Sequence, residues 1–175
     1  MGWPTWADVP HSELRFDPAS FEAKISKTSY CWEWTGGRHK KTGYGSANVK
    51  KTDGSKTTAR AHKLSYLLHV GPVPQGMDVD HRCHNRGCVN PAHLRLLTRK
   101  QNAENRGELS ARNKSGYRGV SWSQARQKWV ATVGHNWKRI TVGCFDTAEE
   151  AGEAARAKRN ELYTHNDLDR KAVAA

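Results

Sequence analysis

The chain has 175 residues, of which 36% are hydrophobic and 26% charged, and it carries a formal net charge of +12. Such a polar composition does not fill one large core and suits two small domains with exposed connectors. No stretch approaches the roughly eighteen apolar residues of a membrane span, and the opening MGWPTWADVPHSELRF lacks the basic start and apolar middle of a secretory signal, so a cytosolic protein is expected.

The 29 lysines and arginines are spread along the whole length. They are either a solvated basic surface or, the reading favoured here, the counterpart of a polyanion, most simply nucleic acid, whose binding weakens steeply with salt. In a reducing compartment the four cysteines, Cys31, Cys83, Cys88 and Cys144, point to metal rather than disulfides.

Residues 1–27 read as an N-terminal arm, Pro- and Asp-punctuated at first, with Trp3 and Trp6, then a short helix over 18–27 with Phe21 and Ile25 one turn apart. Residues 31–60 read as strands in a meander, with a hairpin at Asp53-Gly54. ARAHKLSYLLHV has helical spacing, and GPVPQG ends it before the short strand MDVDH. In NPAHL, Pro91 follows a candidate cap, Asn90. LRLLT then leads to a helix opened by Thr98 and closed at Gly107. Residues 106–112 read as a linker. Beyond it, YRGVSW, KWVATVG and KRITVGCF are three strands. TAEEAGEAARAKRNELY is a helix with a Thr147/Glu150 capping box, and Ala151, Ala154, Ala155, Lys158 and Leu162 are expected on its packed face. Residues 166–175 are expected to be a flexible tail.

The segment HRCHNRGCVNPAHLRLLTRKQN, from His81 to Asn102, carries the chemistry. Cys83, Cys88 and His93 offer three ligands on a tight loop, and Cys31 is the natural fourth, which makes a closed Cys3His shell for structural zinc. With so few apolar residues between 82 and 93, the ion itself would hold this region together. His81, at the end of a strand, suits the base that takes a proton from water in phosphodiester hydrolysis, with its other ring nitrogen on a backbone carbonyl. Asn102, on the following helix, and Asp80 offer oxygen to a hard catalytic ion such as Mg2+ or Mn2+. Neighbours in a regular strand face opposite ways, so Asp80 is either a metal ligand or a supporting carboxylate. Asn90 belongs to the same site as a clamp tying the loop to the backbone. Arg60 is a candidate to grip the cut phosphate, and His62 either assists or packs.

DHRCHNRGCVNPAHL followed by LTRKQN resembles the HNH, or ββα-metal (His-Me finger), nucleases, and is similar above all to the His-Cys box homing endonucleases. That resemblance, over about residues 30–105, implies His81 as base, Asn102 as ligand of a single catalytic metal and Cys31, Cys83, Cys88 and His93 on zinc. The Asp80-His81 dipeptide is similar to that of phage-type HNH enzymes, in which the carboxylate also binds metal. The second zinc cluster of the His-Cys box branch has no counterpart here.

YRGVSW, KWVA, GCFDT and TAEEAGEAARAKR resemble the AP2 DNA-binding domain over about residues 113–165. A sheet face lying in the major groove would draw on Arg118, Trp122, Arg126, Lys128, Trp129, Thr132, Arg139 and Thr141, and the resemblance singles out Arg118 and Trp129 as DNA contacts. At least one of Trp122, Trp129 and Trp137 is expected in the core.

The reading as a whole is an α+β chain: a zinc-braced nuclease domain over 28–105, then a three-stranded antiparallel sheet packed on one helix over 113–165. Its expected activity is metal-dependent, homing-like cleavage of double-stranded DNA, with no membrane partner and no small-molecule substrate. If phage-encoded, it acts in the host cytosol. The rivals are a catalytically weak DNA-binding regulator, a nonspecific HNH nuclease and a zinc-stabilised RNA-binding module. Target sequence, nick or double-strand break, and oligomeric state stay open.

Overall fold

The computed structural model describes residues 14–106, 109 and 111–171. The expected arm over 1–13 with Trp3 and Trp6, Gly107, Glu108 and Ser110 of the expected linker, and tail residues 172–175 lie outside the described residues. The chain divides into two units, Met1–Arg99 and Lys100–Ala175. No helix among the described residues is long and apolar enough to cross a membrane.

The first unit contains, in order, β1 (Leu14–Arg15), α1 (Pro18–Glu22), β2 (Ile25–Lys27), β3 (Trp32–Trp34), β4 (Ser46–Lys51), β5 (Lys56–Arg60), α2 (Ala61–His69), β6 (Met77–His81), a 3-10 turn (Pro91–His93) and β7 (Leu94–Thr98). β1, β4 and β5 form one antiparallel sheet. Period-two alternation in SANVKK turns Ala47 and Val49 inward and Asn48 and Lys50 outward. Gly54 makes the expected hairpin turn at φ +81°, and Asp53 Oδ1 accepts from Ser55 N at 2.8 Å. β5 runs straight into α2, whose Ala61 and Leu64 pack with Phe21, Trp34, Ala47, Val49, Ala59 and Val89.

The helix expected over 18–27 stops at Glu22. Its Asp17 cap and Pro18 start a single turn, but Ile25 is claimed by strand pairing opposite Trp34 and packs on the core from β2. The local i, i+4 pattern loses to a tertiary partner. β6 and β7 pair antiparallel without a break from Met77↔Thr98 to His81↔Leu94. They lead directly into α3 (Arg99–Glu104).

The second unit holds β8 (Val120–Ser123), β9 (Lys128–His135), β10 (Lys138–Phe145), α4 (Ala148–Leu162) and α5 (Asp167–Lys171), with sheet order β10-β9-β8, antiparallel throughout. The Thr147/Glu150 capping box forms. α4 buries Ala151, Gly152, Ala155 and Arg159, so the packed stripe differs from the expected one: Ala154 is half-buried, and Lys158 turns to Glu161 at 2.7 Å. Gly152 is needed because a Cβ there would press into the Tyr117 ring.

The tail is ordered further than expected. Asp169 of α5 holds the buried Arg159 through Nε–Oδ2 at 2.6 Å and Nη2–Oδ1 at 3.1 Å. A buried guanidinium needs such a counter-charge. The division at residue 99 also departs from the expected linker at 106–112. Glu104, buried at the end of α3, accepts from Thr164 N at 3.0 Å and Thr164 Oγ1 at 3.1 Å, which ties that helix end into the second unit.

Gly119 sits at φ +82°, and a Cβ added there would run into the Thr132 carbonyl oxygen, so a methyl group meets backbone. Gly119→Ala is expected to destabilise the second unit by about 1–3 kcal/mol from the left-handed backbone alone. Denaturant unfolding checks this, and an unchanged midpoint would contradict the packing described.

Candidate functional site

In the first unit four ligand atoms converge from four places in the sequence. Cys31 precedes β3, Cys83 follows β6, Cys88 lies in the connecting loop and His93 ends the 3-10 turn. Their ligand atoms all lie within 4.8 Å of one another. His93 Nδ1 is 3.8 Å from Cys31 Sγ and 3.6 Å from Cys88 Sγ. A tetrahedral ion with sulfur at about 2.3 Å and nitrogen at about 2.0 Å separates those atoms by about 3.6 Å, so the donor set and its size both fit a metal ion.

Cys31 arrives because residues 87–89 run beside β3. Val89 N donates to Trp32 O at 2.8 Å, Trp34 N donates to Gly87 O at 2.9 Å, and Glu33 bridges Cys88. Glu33 also accepts from Arg38 at 3.0 Å and from the Asn85 amide, whose oxygen takes Gly87 N at 2.9 Å. Gly87 must be small, since a Cβ would run into the Arg38 guanidinium. Asn90 clamps the other side: its oxygen accepts from Ala92 N at 3.0 Å and its nitrogen donates to Tyr30 O at 2.9 Å. Both ends of that amide are thus engaged with backbone.

His81 ends β6 and is buried. Its Nε2 lies 2.9 Å from the Cys88 carbonyl. A carbonyl only accepts, so Nε2 carries the hydrogen and Nδ1 keeps its lone pair. Burial pushes the His81 pKa below the ordinary 6.5, and the charges of His84 and Arg86 add to that, while the Cys88 hydrogen bond and Asp80 oppose it. The neutral imidazole is the form a base requires. Around it lie the His62 ring at 4.5 Å and the Tyr44 ring at 5.9 Å between centroids. His62 is itself buried, and burial, then the charge of His81, holds its pKa well below 6.5. It packs, and it packs against the candidate base.

Arg60 and Arg86 place their guanidinium carbons 5.1 and 5.2 Å from the centre of the Tyr44 ring. Both reach Thr42: Arg60 Nη1 donates to its hydroxyl at 3.3 Å and Arg86 Nη1 to its carbonyl at 3.0 Å. Two cations therefore meet over one loop. Neither Arg86 nor Tyr44 stood out in the sequence; the only signal was a cation inside the metal loop. Asp80 falls on the strand face opposite His81, as the buried-intermediate alternation of β6 requires. Its Oδ2 accepts from Arg95 Nε and Nη2, both at 3.1 Å, directly across the β6–β7 pair. Asn102 lies on α3 in the portion belonging to the second unit.

In the second unit the candidate DNA-contacting residues separate. Ala131 and Val133 of β9 face α4, so Lys128 and Thr132 stand on the opposite face, where the register places Arg139 and Thr141 with them. Trp129 is paired opposite Trp122, with rings 5.3 Å apart, and packs on the core from the α4 side. None of the three tryptophans expected to supply a core residue is fully buried: Trp129 is half-buried, Trp122 is 44% exposed and Trp137 fully so. The core here is filled by alanines, valines and Tyr163 instead. Arg118 does not face outward either. Its guanidinium donates to the Glu104 and Ala103 carbonyls at 3.1 and 3.2 Å, closing the end of α3, and lies over Tyr163. Arg126 rests on Cys144 Sγ at 3.1 Å, and Lys128 pairs with Asp146 at 2.8 Å on the surface.

The HNH endonuclease family matches residues 59–104. Protein 7.7 of Escherichia phage T7 is 45% identical over 74 residues, 42% of this chain and 52% of that protein. Protein 3.8 of the same phage is 34% identical over 102 residues, 57% of this chain and 82% of that protein. An uncharacterized HNH endonuclease, L560, of Acanthamoeba polyphaga mimivirus is 30% identical over 103 residues, 58% of this chain and 52% of that protein. The chain thus spans about half the length of protein 7.7 and of the mimivirus protein. No solved structure matches.

Proposed function

The chain belongs to the family of phage T7 protein 3.8 and carries an HNH-type nuclease domain, and from that premise we propose that it is a metal-dependent endonuclease that cuts double-stranded DNA with sequence preference, in the manner of homing enzymes. The observation that carries this reading is the His81 imidazole, fixed by the Cys88 carbonyl with Nδ1 left as the basic atom. Nδ1 takes the proton of the attacking water. Asn102 is the proposed oxygen ligand of one Mg2+ or Mn2+, and Asp80, whose carboxylate Arg95 holds, either joins it or serves as a supporting carboxylate. That ion, when bound, supplies charge stabilisation at the phosphate and the departing 3′ oxygen. Arg60 grips the phosphate, and 5′-phosphate and 3′-hydroxyl ends result. The Cys3His cluster holds zinc and stiffens the loop that presents the Cys88 carbonyl. Asn90 serves as a clamp.

The second unit, AP2-like in this proposal, anchors the enzyme on DNA through the sheet face of Lys128, Thr132, Arg139 and Thr141. The host cytosol is the proposed site of action. Incubation with plasmid and Mg2+ or Mn2+ tests the proposal: discrete bands support a sequence-preferring enzyme, a smear a nonspecific one, and inertness over a range of sites and salts overturns it. The pH profile adds a second check. The base works only when deprotonated, and burial places its pKa below 6.5. The decline in cleavage on acidification should therefore be centred below pH 6.5. A decline centred above 6.5 would contradict His81 as base.

A further inference from the structure

β9 and β10 are joined by two residues, Asn136 and Trp137, with φ +48° and +64°. That is a type I′ hairpin turn, whose second central position ordinarily takes glycine because a side chain there strains the backbone. Here the position holds the largest side chain available, and it is completely exposed. Trp137 gains no burial to offset the strain and joins no core cluster. A residue that costs stability and packs on nothing within the fold is suited to packing on something outside it.

The surroundings point to what that is. Lys138 and Arg139 follow directly, are exposed, and form no ion pair among the described residues. Arg139 and Thr141 continue along the sheet face that α4 leaves open. An aromatic knob at the end of a narrow hairpin, backed by two cations, in a chain of net charge +12, is complementary to the grooved polyanion of duplex DNA.

We propose that Trp137 is a DNA wedge: the β9–β10 tip enters a groove and the indole packs against the bases of a deformable step, with Lys138 and Arg139 on the flanking phosphates. This rests on the duplex-DNA reading above and assigns it a contact outside the sheet face. The experiment compares wild type, Trp137→Gly and Trp137→Phe for binding of labelled mixed-sequence duplexes, without added Mg2+, alongside thermal melting of each protein. Trp137→Gly relieves the turn, so it should melt at or above wild type while binding at least about five-fold more weakly, the low end of the loss found on removing an aromatic stacked on a base. Trp137→Phe, which restores a ring, should recover much of the affinity. Equal binding by all three proteins, loss of binding together with a lowered melting temperature in Trp137→Gly, or a phenylalanine variant no better than the glycine one would overturn the wedge and leave the endonuclease reading standing. Failure of the wild type to bind duplex at all would remove both.

Discussion

His81→Ala is expected to reduce plasmid cleavage by about 10²–10⁴-fold or more, the usual span for removing a positioned general base, while duplex binding persists. The expectation follows from how the imidazole is held. Cys88 O takes the Nε2 hydrogen at 2.9 Å, so the tautomer is set. The rings of His62 and Tyr44 fix its plane, and burial keeps it neutral. Truncation removes the basic atom and also leaves the buried Cys88 carbonyl without its donor, which costs some stability. Melting curves and DNA binding measured on the same preparation separate lost chemistry from lost fold. His81→Gln is a useful companion, because it can restore a donor to the carbonyl without restoring the base. Cleavage at the wild-type rate by either variant would dismiss His81 from the reaction.

Extraction of the bound metal, or Cys88→Ala, is expected to unfold the first unit outright. The magnitudes decide this. A structural zinc site contributes about 10–16 kcal/mol of apparent binding free energy, against a total stability of about 5–15 kcal/mol for an ordinary domain. Apart from the ligand Cys88, the segment between Cys83 and His93 has Val89 as its one deeply buried apolar side chain. Without an ion, three thiols and an imidazole within 4.8 Å of one another would be held only by weak sulfur hydrogen bonds. The second unit has its own core of Val120, Ala131, Val133, Ala151, Ala155 and Tyr163, and should keep a cooperative transition after chelation. Native mass spectrometry should find one zinc per chain. Calorimetry should show the first unit's transition disappearing with the metal and returning when zinc is restored. A metal-free protein with both transitions intact would show that apolar packing alone supports the loop.

The metal ligands were legible because their chemistry is local. Cys83, Cys88 and His93 share one short loop at metal-ligand spacing. The strands and the capped helix of the second unit were legible for a similar reason: β-branched residues in period two and a Thr-x-x-Glu box are short-range signals. Asn90 likewise announced itself as a cap by its place before Pro91. The split of the tryptophans was less accessible. Period two says that Trp122 and Trp129 each have a face, but only the register of β8 on β9 and the seat of α4 say that it is the same one, turned toward the helix. The helix expected through Ile25 failed for the same kind of reason, since its partner Trp34 comes from a later strand.

What the sequence determined by itself was the inventory: a Cys3His donor set, an Asp-His pair with a downstream asparagine, and a cationic two-part chain. Those depend on residue type and spacing, which the covalent chain carries unaided. The fold alone decided which groups meet and which are already engaged. It set Arg86 beside Arg60 over Tyr44, turned Arg118 inward to close a helix end, engaged Asp80 with Arg95, and left Trp137 at the tip of a strained turn. Side-chain direction and the competition for hydrogen-bond partners are settled by neighbours distant along the chain, and no local pattern encodes them.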